Sequence, residues 1–149
     1  MQDKKENFPQ KGRILALDIG TKRVGVAVCD ELRLVARPLC TLERKSWKKL
    51  LRETIEIIKK YDVVAVVVGL PLNFDGTENQ MTEEVKRLYR NYSLSLEIPV
   101  FLQDERLTTI EAKSRLKSKG YTIKQIKEQR DAEAASIILE DFLSKIQSG

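Results

Sequence analysis

Apolar residues in this chain fall into short blocks with two different periods. Ile14–Asp18 (ILALD) is an apolar run bounded by Gly12 and Gly20, as suits a strand buried on both faces. Gly20–Arg23 has turn chemistry and Val24–Cys29 is apolar again, which predicts an antiparallel hairpin. Asp30 and Glu31 turn the chain once more. Leu34–Leu42, interrupted by Pro38, then predicts a third strand at a sheet edge, where a missing N–H is tolerated. The period changes next: Trp47, Leu50, Leu51, Ile55 and Ile58 recur at helical spacing. Residues 46–60 are therefore expected to form an amphipathic helix with Lys48, Lys49, Arg52 and Lys59 turned outward. Val63–Val68 is short and β-branched, a buried strand that ends at Gly69–Pro71, and the turn-forming stretch to Thr77 follows it. Met81, Val85, Leu88, Tyr89 and Tyr92 mark a second helix, and Ile98–Leu102 a fifth strand. Thr108–Glu111 has capping-box spacing and should start a helix running to about Ser118. A last helix is expected from Asp131 to about Ile146.

Three strands, then helix, strand, helix, strand and helices predict an α/β fold with a mixed five-stranded sheet. Its antiparallel meander would be continued by two parallel strands through right-handed crossovers, with helices flanking the sheet. This is the ribonuclease H-like arrangement. The reading gives one domain, residues 13–149, after a flexible polar leader at residues 1–12. The chain's 149 residues suffice for a core without disulfides. Cys29 and Cys40 belong to no C-x-x-C pair and are expected to be free thiols packed in a reducing compartment. The longest apolar run, Val63–Val68, falls far short of the ~20 residues of a membrane span, and Met1–Asn7 has no apolar segment of a secretory signal. A cytoplasmic protein with no membrane partner is expected.

Charge narrows the chemistry. Lys and Arg number 27 against 22 Asp and Glu, and there is no histidine, which excludes Ser-His-Asp and Cys-His triads and His-ligated zinc. Any catalysis must rest on carboxylates. Strand alternation puts Asp18 on the face of Ile14 and Ala16, at the strand's exit; the alternative is a simple turn-opening Asp. Asp104 and Glu105 follow another strand, at the sheet edge where α/β folds place their sites. Asp131 shares a helical stripe with Ala135, Ile138 and Phe142, so it should point inward, unless it is a helix cap. Glu133 is off that stripe and should be solvated. Three converging carboxylates repel unless a cation bridges them. Hard oxygen ligands favour Mg²⁺ or Mn²⁺, and two such ions ~3.5–4 Å apart can clamp a scissile phosphate. Lys22, Arg23 and Arg106, tied by sequence to the acids, are candidate phosphate contacts. Seven cations between Lys113 and Arg130 are either a substrate grip or a solvated face. Aromatic residues make up 6% of the chain with no base-stacking motif, so contacts should fall on phosphates and duplex shape.

Four segments carry a resemblance. Ile14–Val28 (ILALDIGTKRVGVAV), Val68–Glu78 (VGLPLNFDGTE), Asp104–Ala112 (DERLTTIEA) and Asp131–Leu139 (DAEAASIIL) resemble, in order, the YqgF-type family of pre-16S rRNA nucleases, also described as Holliday-junction-resolvase-like. The resemblance covers about residues 13–145. It implies a ribonuclease H-like fold, a bacterial cytoplasmic protein and a role in maturing the 5′ end of 16S rRNA. It maps the acidic positions, as catalytic residues and metal ligands, onto Asp18, Glu105 (with Asp104 beside it) and Asp131. It also gives Asn73 and Asp75 a substrate-binding or structural duty. The chain departs from the family pattern at Phe74, often Met, and at Arg130, often apolar. Three other functions compete. Asp18–Thr21 is similar to the phosphate-cradling turn of sugar-kinase and actin-like ATPases, which need a second domain that this chain is too short to supply. A non-catalytic RNA- or ribosome-binding assembly factor would also suit the basic charge. A Holliday-junction resolvase would act on branched DNA. A monomer or a homodimer is expected.

Overall fold

The computed structural model describes residues 8–105 and 108–148. Five strands form one sheet in the order β3-β2-β1-β4-β5. They are β1 (Arg13–Ile19), β2 (Arg23–Cys29), β3 (Ala36–Glu43), β4 (Val63–Leu70) and β5 (Val100–Asp104). The β1–β2 and β2–β3 pairs are antiparallel and the β1–β4 and β4–β5 pairs parallel, so the predicted mixed sheet is present with β3 at an edge. Helices α1 (Trp47–Tyr61) and α2 (Gln80–Ser95) make the crossovers, and α3 (Thr108–Ser118) and α4 (Ile123–Ser148) follow β5. The Ser46 hydroxyl caps α1, and Asn79 and Thr82 form a reciprocal capping box on α2. No helix among the described residues is long and apolar enough to cross a membrane.

The two sheet faces are packed differently, and the difference positions the site. One face presents large aliphatic residues (Leu15, Leu17, Val24, Val26, Val66, Val68) to Leu50 of α1 and Val85, Leu88 and Tyr92 of α2. The other presents Ile14 with small residues (Ala16, Ala27, Ala65) to the buried Ala135, Ile138, Leu139 and Phe142 of α4. Small residues on both partners let α4 lie close to the strands. The approach is closest at Gly25, where a Cβ, if there were one, would fall 1.9 Å from the Asp131 carbonyl oxygen. Phe8, ahead of β1, packs on Phe101 and Phe142 at ring-centroid distances of 5.1 and 5.8 Å.

Three expectations are corrected. The last helix begins at Ile123, not Asp131, because Thr122 and Gln125 cap it reciprocally. Its first turns carry Lys124, Gln125, Lys127, Glu128 and Gln129, which have good helix propensity but no apolar period to reveal it. Asp131 is therefore an interior helical residue, not a cap. Glu133 is only 3% exposed, because α3 covers that side of α4 and brings Arg115 and Lys119 each to 3.5 Å from its carboxylate. The third strand starts at Ala36 rather than Leu34: the Asp30 carboxylate accepts from the Leu34 and Val35 amides and holds them in the preceding turn. Replacement of Gly25 by Ala is expected to cost about 1–3 kcal/mol by overpacking, read as a lower urea midpoint at unchanged m-value. A change within about 0.5 kcal/mol would show that α4 does not rest on β2.

Candidate active site

Asp18 is the penultimate residue of β1 and pairs with Gly25 of β2. On the other side lies β4, where Gly69 follows Val68, the register partner of Leu17, so the position beside Asp18 has no side chain. Beyond it, Glu105 leaves the end of β5 with its amide donating to the Leu70 carbonyl at 3.1 Å. A Cβ at Gly69 would lie 3.0 Å from the Glu105 carboxyl carbon and 2.4 Å from Ile138 Cδ1. The bare backbone at Gly69 is thus a floor over which carboxyl groups from β1 and β5 meet.

There each carboxyl bears directly on the proton affinity of the other. Two ionised carboxylates in that contact would repel by on the order of 4 kcal/mol at an effective dielectric of about 20, so one keeps its proton. Burial is the largest cause for both groups, pushing Asp18 up to about 6 and Glu105 up to about 10. The Asp18 charge raises Glu105 further. Asp131 raises Asp18 through space and Asp104 raises Glu105. The pair therefore takes up a proton together. Asp104, by contrast, lines a cleft with Phe8, Phe101 and Phe142.

Asp131 reaches the same sheet edge from α4, its backbone seated on Gly25. Its Oδ2 accepts from Arg23 Nε at 3.0 Å, with the two side chains 25% and 45% exposed. An ion pair that exposed contributes about 0–1 kcal/mol, so a stronger competitor for Asp131 can replace Arg23. Among the described residues, no three acid or thiol side chains yet surround one point closely enough to hold a metal ion. Asp18 and Glu105 face each other, and Asp131 faces Arg23. The donor set is nonetheless all carboxylate oxygen, with a proton between two of its members, and hard dications favour that chemistry once the proton leaves.

Of the other candidates, Lys22 is exposed at the tip of the β1–β2 turn. Asn73 spends its side chain within its own loop, donating to Thr77 Oγ1 at 2.9 Å and accepting from Asn79 Nδ2 at 3.1 Å, and Asp75 accepts from the Thr77 amide and hydroxyl. Arg106 lies outside the described residues. Arg44 is a residue that sequence reasoning missed. Its amide donates to the Lys22 carbonyl at 2.9 Å, its Nη1 to the Gly20 carbonyl at 2.7 Å and its Nη2 to Glu84 at 2.5 Å, so it braces the turn that carries Lys22. Nothing in the pattern marks it among 27 cations.

A folded-state pKa above the unfolded value means that a carboxyl takes up a proton on folding, so stability falls as pH rises from about the unfolded value toward the folded one. For Asp18 that window runs from 3.8 to about 6, and for Glu105 from 4.5 to about 10. In metal-free protein, Glu105→Gln supplies a permanently neutral donor. It is expected to raise Tm at pH 8 by about 2–5 °C and to flatten the decline between pH 5 and 8. A lower Tm with an unchanged pH slope in thermal melts with chelator would refute the shared proton.

Residues 12–145 match a family model described as RuvX, Holliday junction resolvase. A protein of Syntrophus aciditrophicus named "Putative pre-16S rRNA nuclease" is 44% identical over 134 residues, covering 90% of this chain and 89% of that one. One of the same name from Anaeromyxobacter sp. strain K is 39% identical, covering 89% and 97%. Among solved structures, the Fowlpox virus resolvase in complex with Holliday junction DNA superposes with a TM-score of 0.54 at 12% identity, covering 90% of this chain and 98% of that one, a likeness of fold. With the matched segment running from just before β1 to the last turns of α4, the chain belongs to the RuvX Holliday junction resolvase family.

Proposed function

We propose that this protein is a nuclease of the bacterial cytoplasm that hydrolyses phosphodiester bonds with Mg²⁺ or Mn²⁺, in a pair, at the edge where Asp18, Glu105 and Asp131 converge. The observation that carries the reading is the convergence of Asp18, Glu105 over the bare backbone of Gly69, and Asp131 seated on Gly25, an all-oxygen acid cluster on a histidine-free chain. Bound there, a divalent pair would supply Lewis-acid activation of water and charge stabilisation of the leaving oxygen.

The chain's own residues do the rest. Asp18 stands between the other two acids and is placed to serve both halves of the site, with Glu105 and Asp131 closing its two sides. The Gly69 floor holds Asp18 and Glu105 at contact range, and the Gly25 seat fixes the height of Asp131. Lys22, at the turn braced by Arg44, and Arg23, through its exposed guanidinium, present positive charge to a phosphate arriving at the same edge. The substrate we favour is the 5′-extended precursor of 16S rRNA, which the names of relatives matching nine-tenths of the chain support. Branched DNA is the second reading, favoured by the description of the family.

The test is incubation of purified protein with 5′-extended precursor rRNA and with a four-way DNA junction, each with Mg²⁺, with Mn²⁺ and with chelator. Cleavage of the precursor only with a dication is expected. Asp18→Asn and Asp131→Asn should each lose more than the roughly 100-fold that follows when a group merely supporting a metal ligand is removed, with native circular dichroism. Retained turnover in both variants, or cleavage in chelator, would defeat the assignment. Lys22→Ala is expected to weaken binding and reduce its salt slope by about one, measured by anisotropy between 50 and about 200 mM salt.

A further inference from the structure

The first two turns of α4, Ile123 to Arg130, overhang the sheet. Nearly every residue from Thr122 to Gln129 is exposed, and Ile123 is 88% exposed. Burial begins at Ala132, one residue past the point where the helix backbone meets Gly25. A helix end with no core to bury is marginal in water, yet this one is built deliberately, with reciprocal hydrogen bonds between Thr122 and Gln125 at its start. Burial does not explain the extension.

Charge does. The structure divides the cations of this region into two sets. Arg115 is paired with Glu133 and Glu140, Lys119 with Glu133 and Arg44 with Glu84, while Arg23 is held by Asp131 in a pair half open to solvent. Lys124, Lys127 and Arg130 make no ion pair with any described residue, as is also true of Lys113 and Lys117 on α3, but only the first three continue the helix that carries Asp131; Glu128 is the single acid among residues 122–130. Lys124, Lys127 and Asp131 stand at i, i+3 and i+7, so they share one side of the helix. Farther along, that stripe carries the buried Ala135, Ile138 and Phe142. The side of α4 that packs on the sheet thus continues past the sheet's end as a cationic strip starting beside the acid cluster.

The geometry points to a backbone-binding track for the nucleic-acid substrate, formed by Lys124, Lys127 and Arg130 on the overhanging turns of α4. It rests on the nuclease reading for the identity of its ligand. At about 1.5 Å of rise per residue, Lys127 and Lys124 lie about 6 and 10 Å along the axis from Asp131, a span of about three nucleotide rises of 3.4 Å. The track grips phosphates to one side of the scissile bond and reads no base.

The test compares two triple variants with the same charge removed. Lys124→Gln/Lys127→Gln/Arg130→Gln alters the track, and Lys48→Gln/Arg52→Gln/Lys59→Gln alters exposed positions of α1 on the opposite face of the sheet. Gln matches Lys and Arg in helix propensity, so circular dichroism should be unchanged. Binding to 5′-extended precursor RNA is measured in the cleavage-deficient Asp18→Asn background. The track variant is expected to lose about tenfold or more in affinity and to flatten the log–log salt slope by about two to three. The α1 variant should stay within about twofold. In the otherwise unaltered enzyme, the track variant should raise KM with kcat nearly constant. Equal losses from both triples, or an unchanged slope in the track variant, would overturn the track. If the unaltered enzyme cleaves while the track variant binds like its parent, the track fails and the nuclease reading stands. If the triples separate as expected but no nucleic acid is cut, the nuclease reading fails and the track stands.

Discussion

The contact on which the rest depends is that between the α4 backbone and Gly25. A helix normally stands off a sheet by the depth of two side-chain layers, yet here the Asp131 carbonyl occupies the place where a Cβ would sit on β2. Three features permit it: a glycine in the strand, alanines at 16, 27 and 65 around it, and alanines at 132 and 135 on the helix. Because Gly25 is the register partner of Asp18, the same contact sets how near the third acid comes to the first. A packing constraint and an electrostatic one are therefore met at a single residue pair.

Bringing Asp18 and Glu105 together opposes folding, since carboxyls whose proton affinity is raised by burial and mutual repulsion favour the unfolded chain at neutral pH. The opposing term sits on the other face of the sheet, where Leu15, Leu17, Val24, Val26, Val66 and Val68 are almost wholly buried against α1 and α2. Burying a side chain of that size contributes about 1.5–3 kcal/mol, so a few such positions outweigh a strained acid pair. The two faces divide the labour: one stabilises, while the other, thinner and alanine-rich, yields precision at the edge. The buried Glu133 belongs to the second task. Its ion pairs with the part-exposed Arg115 and Lys119 dock α3 onto α4.

Strand order, the edge position of β3 and the helical stripes of α1 and α2 were legible because each rests on a strong local period, and Asp18 was legible because alternation fixes its face. The start of α4 was not. Its first turns are solvent-exposed, and apolar periodicity reports only helices that bury a face. Glu133 misled for a related reason: a single stripe describes a helix with one neighbour, whereas α4 packs against the sheet on one side and α3 on another. The spacing of Asp131 to Ala135, Ile138 and Phe142 pointed inward correctly, but its partner Arg23, far off in sequence, could not be read from spacing. Nor could the role of Arg44, which is a matter of where one of many cations folds back.

The acids come from β1, the end of β5 and the middle of α4, so no local segment assembles them, and the unfolded chain offers a cation no comparable site. A ligand that binds only the folded state stabilises it by RT ln(1 + [L]/Kd), about 2.7 kcal/mol at a hundredfold excess over Kd. On the proposed reading the acid cluster would change sign as a contributor to stability, repulsive while two of its members share one proton and cohesive if a dication took that proton's place. The weak, half-exposed pairing of Asp131 with Arg23 fits the same logic. A deeply buried partner would fix Asp131 on the arginine, whereas a solvent-screened one restrains the carboxylate near its station at small energetic cost and would yield to a more highly charged ligand.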